Sequence, residues 1–317
     1  MKKLLILFSM VCALSLQTVC GQSVKAWQVG ANDIEGRRIM VAPMDNPNNF
    51  VELAAEGNLY KGSVPVSENG FYNLISVKGY SQTIMPLYMP KNVSPDIRLD
   101  FENKSSLLVG ADKDNMALAA YSVVYSNANK ELWSSNAGSG EVCRNIIKRL
   151  VCSADSLVAL YDCTAEVKSY LGIWSYISAY DCYSYLPRIL RIKPDEMPFR
   201  RSDVLPLPHM ALNSPLASLF ANAPNVVFAS LPNKNNLDSA LVYLESHYTD
   251  AGIVKSVKDN IANRYVSGFN YGTGDFDKGL ERLRNATEKY GLDPKYAMDF
   301  AKRKATIPGQ PFPKNVV

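Results

Sequence analysis

The sequence predicts an α+β fold: an N-terminal antiparallel β-sandwich or barrel-like domain followed by an all-α helical region. Three observations carry this. Residues 22 to about 104 hold short β-prone runs separated by turn residues. Near Asp112 the pattern changes to apolar residues at helical spacing. The length of 317 residues and a hydrophobic fraction of 47% suit about two cored domains.

The β runs come in order. They are Ile39–Ala42, Val51–Leu53, Leu59–Val64, Phe71–Val77, Thr83–Tyr88 and Ile97–Phe101. Asn46-Pro-Asn-Asn49, Glu68-Asn-Gly70 and Pro90-Lys-Asn92 supply the turns between them. Many short strands with regular turns read as a sandwich or a partly open barrel. Pro86 cannot donate to a ladder, which places its strand at an edge or a bulge.

The helical region is read as 105–304. Asp112, Asp114 and Asn115 are N-cap candidates ahead of Leu118, Tyr121, Val124 and Tyr125. Apolar residues from Ile146 to Ile177 fit two packed helices with a break around Cys163-Thr164. Pro194, Pro198, Pro206, Pro208 and Pro215 forbid a continuous helix over 193–215 and predict an ordered connecting loop. Three helices follow, over Leu237–Tyr248, Ala251 to about Phe269, and Phe276–Tyr290. The last is capped by Asp275 and closed by Gly291. A fourth begins at Asp293-Pro294 and runs to about Lys304. Residues 305–317 read as a Pro/Gly-rich linker leading toward a further folded unit.

The N-terminus has the pattern of a secretory signal over 1–21. Lys2 and Lys3 form its positive end, Leu4 to Leu16 its apolar stretch, and Val19-Cys-Gly21 its cleavage region. The apolar stretch is too short to span a bilayer. Lipidation at Cys20 fits less well, because Gln17-Thr-Val19 is a poor match to what a lipobox requires. The expectation is export to the periplasm or cell envelope with no transmembrane segment.

Removing Lys2 and Lys3 from the net charge of +4 leaves +2, too little to indicate nucleic acid. Beyond the signal, Cys143, Cys152, Cys163 and Cys182 remain. An even count in an exported chain allows one structural disulfide, and buried thiols are the equal alternative. No C-x-x-C is present.

Three stretches carry a family resemblance. They are Gly70-Phe-Tyr-Asn-Leu-Ile-Ser-Val77 with Ile84-Met-Pro-Leu-Tyr-Met-Pro90 and Asp112-Lys-Asp-Asn-Met116; Phe276-Asp-Lys-Gly-Leu280 with Ala286-Thr-Glu-Lys-Tyr-Gly-Leu292; and Ala305-Thr-Ile-Pro-Gly-Gln-Pro-Phe-Pro313. Their order resembles exported thioredoxin-like thiol-disulfide oxidoreductases of Gram-negative anaerobes. The resemblance implies a β-rich domain, a helical region and then a thioredoxin domain whose Trp-Cys-x-x-Cys does the chemistry. That motif is absent from residues 1–317, so no catalytic residue carries over. The expected function is a non-catalytic scaffold or binding region for such a redox domain. The alternatives are a stand-alone exported binding protein and, more weakly, a hydrolase.

Other candidates are few. His209 and His247 are the only histidines, and their spacing points to no metal site. Gly138-Ser-Gly140 and Gly272-Thr-Gly274 lie between helices, which breaks the dinucleotide fingerprint. Asp112 and Asp114 lack the glycine and terminal Glu of a calcium loop. No cofactor is called for. Tyr170, Trp174, Tyr176, Tyr180, Tyr183 and Tyr185 are denser than one buried stripe needs. They are the candidate interaction face for a protein partner, the redox domain or a second copy.

Overall fold

A computed structural model describes residues 23–93, 96–102, 108–109, 111–134, 139–270 and 274–306. The expected signal segment with Cys20, the Gly138 and Gly272 positions and residues 307–317 of the expected linker lie outside these. The architecture is α+β, with two sheets followed by helices.

Nine strands form among the described residues: β1 Val24–Ala31, β2 Arg37–Pro43, β3 Val51–Glu52, β4 Ala54–Glu56, β5 Leu59–Pro65, β6 Phe71–Lys78, β7 Ser81–Tyr88, β8 Asp96–Leu99 and β9 Leu108–Val109. One sheet has the order β4-β5-β1-β8-β9 and the other β3-β2-β6-β7. Strand β1 was not among the expected runs, yet it lies at the centre of the larger sheet. Its inward positions are Lys25, Trp27 and Val29, so a lysine stands where alternation calls for an apolar residue. The Lys25 ammonium donates to the Pro90 carbonyl at 2.6 Å, and burial lowers its pKa.

The pairing is antiparallel with one correction. β1 and β8 run parallel, Val29 beside Ile97. A parallel pair needs a long crossover, and here β2 to β7 all lie between the two strands. Pro86 sits on β7, an edge strand of the smaller sheet.

The two sheets enclose one core. Trp27, Val29, Tyr60 and Ile97 from the larger sheet pack with Ile39, Val41, Tyr72, Leu74 and Leu87 from the smaller. Trp27 and Tyr72 meet edge-to-face at 4.9 Å. Tyr72 Oη accepts from the Ser67 amide at 2.8 Å, and Tyr60 Oη donates to the Arg37 carbonyl at 3.0 Å. Gly70 turns the chain into β6 with φ +76°. A Cβ there would lie 3.0 Å from the Tyr88 ring, so geometry and space both require glycine.

The helices are α1 Lys113–Leu132, α2 Gly140–Tyr161, α3 Ala165–Leu190, α4 Pro208–Leu212, α5 Ala223–Ser230, α6 Leu237–His247, α7 Ala251–Gly268, α8 Phe276–Tyr290 and α9 Lys295–Lys302. The expected break at Cys163-Thr164 is present, with Asp162 in the left-handed region at φ 48°. The proline-rich stretch is an ordered series of short turns, Pro194–Glu196, Arg201–Asp203 and Pro215–Leu219, with α4 among them. Helix α5 was unexpected, because it is short and opens Ala223-Pro224 after that stretch.

The chain divides into two compact units, and the division falls inside helices. The first contains the sheets, the start of α1 through Val124, and Leu157–Val167. The expected boundary at 104/105 therefore lies earlier than the observed one. Asn115 accounts for the shift. It is 1% exposed, and its side chain accepts from the Tyr88 amide and donates to the Tyr88 carbonyl, both at 2.8 Å. It continues the β7 ladder from a helix. Asp112 caps α1 through the Asn115 amide at 3.0 Å, and Asp114 accepts from the Thr164 amide at 2.9 Å. These carboxylates act as caps.

The second unit contains Tyr125–Ser156 and the chain from Lys168 onward. Helix α2 buries one stripe, Cys143, Ile146, Ile147, Leu150 and Ala154. Helix α3 is buried on nearly every side from Ile173 to Tyr180. Helices α5 and α6 pack on α7, and α9 packs on α8 and α7. Asn236, Asp250 and Asp275 cap α6, α7 and α8, and Gly291 closes α8.

Candidate functional site

The cysteines were the first candidates. All four are thiols and none is in a disulfide. Cys143 and Cys182 are buried, Cys163 is half-buried and Cys152 is exposed. Burial pushes Cys182 up to about 12, with the Asp181 carboxylate adding to it. Burial, then Asp114 and Asp162, pushes Cys163 up to about 11. Burial also raises Cys143. Thiolate is the nucleophile in disulfide exchange, so these three sites disfavour the reactive form.

The six aromatic residues do not make one exposed face. Tyr170, Tyr176 and Tyr180 are buried, Trp174 and Tyr183 are half-buried, and Tyr185 alone is exposed. The reason is that α3 is buried on nearly every side from Ile173 to Tyr180. Tyr170 packs on Phe220 at 4.8 Å, and Tyr176 Oη donates to the Pro206 carbonyl at 3.1 Å. Tyr185 instead pairs with Trp133, their rings 5.8 Å apart and both about half exposed, and Arg188 lies over the Trp133 ring.

The histidines are brought together. His209 lies in α4 and His247 is the last residue of α6, with ring centroids 5.0 Å apart. Asn213 makes the approach possible. It follows α4, and its side-chain oxygen accepts from the Thr249 amide at 2.9 Å and hydroxyl at 3.0 Å, tying the two helix ends. Tyr243 stacks on His247 at 4.0 Å, and Tyr248 meets His209 edge-on. Burial raises the Tyr248 and Tyr176 phenols, which keeps both neutral. Sequence spacing gave no signal for this pairing, because the contact depends on a side-chain clasp between separate segments.

His247 Nδ1 lies 2.9 Å from the Tyr243 carbonyl and 2.8 Å from Ser246 Oγ, and its role as donor or acceptor there is set by the ring tautomer. The Ser246 hydroxyl also reaches the Tyr243 carbonyl, at 3.0 Å.

No family model, curated protein or solved structure matches the chain.

Two concavities lie elsewhere on the chain. One of about 620 Å³ is lined by Lys255, Lys258, Asp259, Asp293 and Lys295. Much of its charge is already engaged. Lys258 pairs with Glu245 at 2.7 Å, Lys295 with Asp293 at 3.1 Å, and Asp259 accepts from Tyr296 Oη at 2.8 Å. Another of about 480 Å³ lies against Asp45, Asn46, Glu68 and Lys91. There Asp45 is held by the Ser67 hydroxyl at 3.1 Å and the Glu68 amide at 2.6 Å. Among the described residues no group of three or more His, Cys, Asp or Glu is placed to hold a metal ion. No described helix is long and apolar enough to cross a membrane.

Proposed function

We propose that the chain is an exported, non-catalytic scaffold or binding region related to thioredoxin-like thiol-disulfide oxidoreductases, acting in the periplasm or cell envelope. It holds or orients a redox domain, or binds that domain's client, and does not exchange disulfides itself. The observation that carries this reading is the state of the thiols. Three of the four lie where burial favours the protonated form, and the chain has no C-x-x-C. An exchange site needs a thiolate stabilised at an accessible, electropositive position. The test is insulin reduction by the purified chain with dithiothreitol as electron donor. The expected rate equals that of dithiothreitol alone, and catalytic turnover would contradict the proposal.

The exposed Trp133–Tyr185 pair favours a second reading, a stand-alone interaction protein that contacts another protein or a second copy there. Large aromatics exposed side by side are enriched where proteins meet. Sedimentation of wild type and a W133A/Y185A variant tests the homo-oligomer form. Concentration-dependent association lost in the variant supports it, and identical monomers exclude it.

A further inference from the structure

The two histidines have features that no packing role requires. His209 Nδ1 is buried and has no hydrogen-bond partner among the described residues. A buried polar atom without a partner is destabilising, so its persistence asks for a reason. His247 Nδ1 lies 2.9 Å from the Tyr243 carbonyl, and in the tautomer that donates Nδ1–H to that carbonyl the lone pair sits on Nε2. A metal-ligating histidine typically donates its other ring N–H in this way. Both rings are half-buried, so the site is sheltered and still reachable.

The spacing has the right size. A zinc–nitrogen bond of about 2.0–2.1 Å puts an imidazole centroid about 3.2 Å from the ion, and two such rings at a near-tetrahedral angle lie about 5 Å apart. The observed centroid separation is 5.0 Å. We propose that His209 and His247 form a two-imidazole site for a divalent late first-row transition ion, with zinc as the representative occupant. Imidazole suits such ions, whereas calcium and magnesium need oxygen ligands, and no carboxylate cluster joins the pair among the described residues. Water completes the coordination. Each ring ligates through an unprotonated nitrogen.

The test is equilibrium dialysis of zinc chloride against the full, tag-free chain, with H209A, H247A and the double variant alongside. Wild type is expected to take up one equivalent, and each single substitution to weaken binding about tenfold or more. H209N and H247Q, checked by circular dichroism, replace any alanine variant that fails to fold. The chain has only two histidines, so imidazole nitrogen NMR gives an independent reading, with both rings shifting together as zinc is added. No uptake would overturn the proposal. So would uptake unchanged in the double variant, which would mean zinc held by thiols, or a shift of only one ring.

Discussion

In the sandwich unit several buried polar side chains end on backbone atoms. Lys25 reaches the Pro90 carbonyl, Asn115 takes both groups of Tyr88, and Tyr72 accepts from Ser67. Trp27 Nε1 is buried without a hydrogen-bond partner among the described residues. In the helical unit the histidines are gathered into a ring cluster, and His209 Nδ1 has no hydrogen-bond partner among the described residues. The exposed Trp133–Tyr185 pair lies in that unit too. The difference teaches where to look for function. Polar groups spent on caps and ladders explain a fold, and groups brought together without being spent are candidates for a ligand or partner.

The largest expected effect lies in the sandwich. Trp27→Ala removes the central ring of its core and should destabilise the chain by about 3–5 kcal/mol in urea denaturation. If the loss is under about 1 kcal/mol, the sandwich core is not the closed unit described. Next comes Asn115→Leu, which strands the Tyr88 amide and carbonyl and should cost about 2 kcal/mol by the same measurement. A neutral result would detach α1 from the β7 ladder.

The thiols sharpen the comparison through pH. Cys163 and Cys182 are raised in the folded chain to about 11 and about 12, above the unfolded thiol. Between the unfolded and folded values the folded state holds more protons, so stability falls as pH rises. Their contribution is complete below about pH 8, near the unfolded thiol value, and is lost as pH climbs through the folded values. The Cys163→Ala/Cys182→Ala double variant should therefore show a shallower decline in melting temperature from pH 8 to pH 11. An identical slope would remove these thiols from the linkage. The smallest effect is expected from Trp133→Ala. This exposed residue should leave stability within about 0.5 kcal/mol while altering any association through its face.

Much of the architecture was legible in local signals. Asp275 and Gly291 marked both ends of α8, Asn46–Asn49 and Gly70 marked turns, and Pro86 marked an edge strand. What escaped depends on distant partners. Strand β1 was hidden because Lys25 occupies an inward position that only the Pro90 carbonyl makes tolerable. The α3 aromatics looked too numerous for a core because a helix buried on nearly every side has no single apolar stripe. The histidine pair was invisible because it joins two helices far apart in sequence, whose ends are tied by the Asn213–Thr249 hydrogen bonds, and neither residue carries a signature of its own.

The central claim is that this chain keeps its thiols out of exchange chemistry, and per-cysteine alkylation of the native protein tests it most directly. With iodoacetamide at pH 7 and mass spectrometry, Cys152 should label first, and Cys143 and Cys182 only as the chain unfolds. Cys163 should gain rate steadily toward pH 11. Rapid labelling of Cys143, Cys163 or Cys182 at pH 6 in the folded protein would reveal a stabilised thiolate and contradict the account.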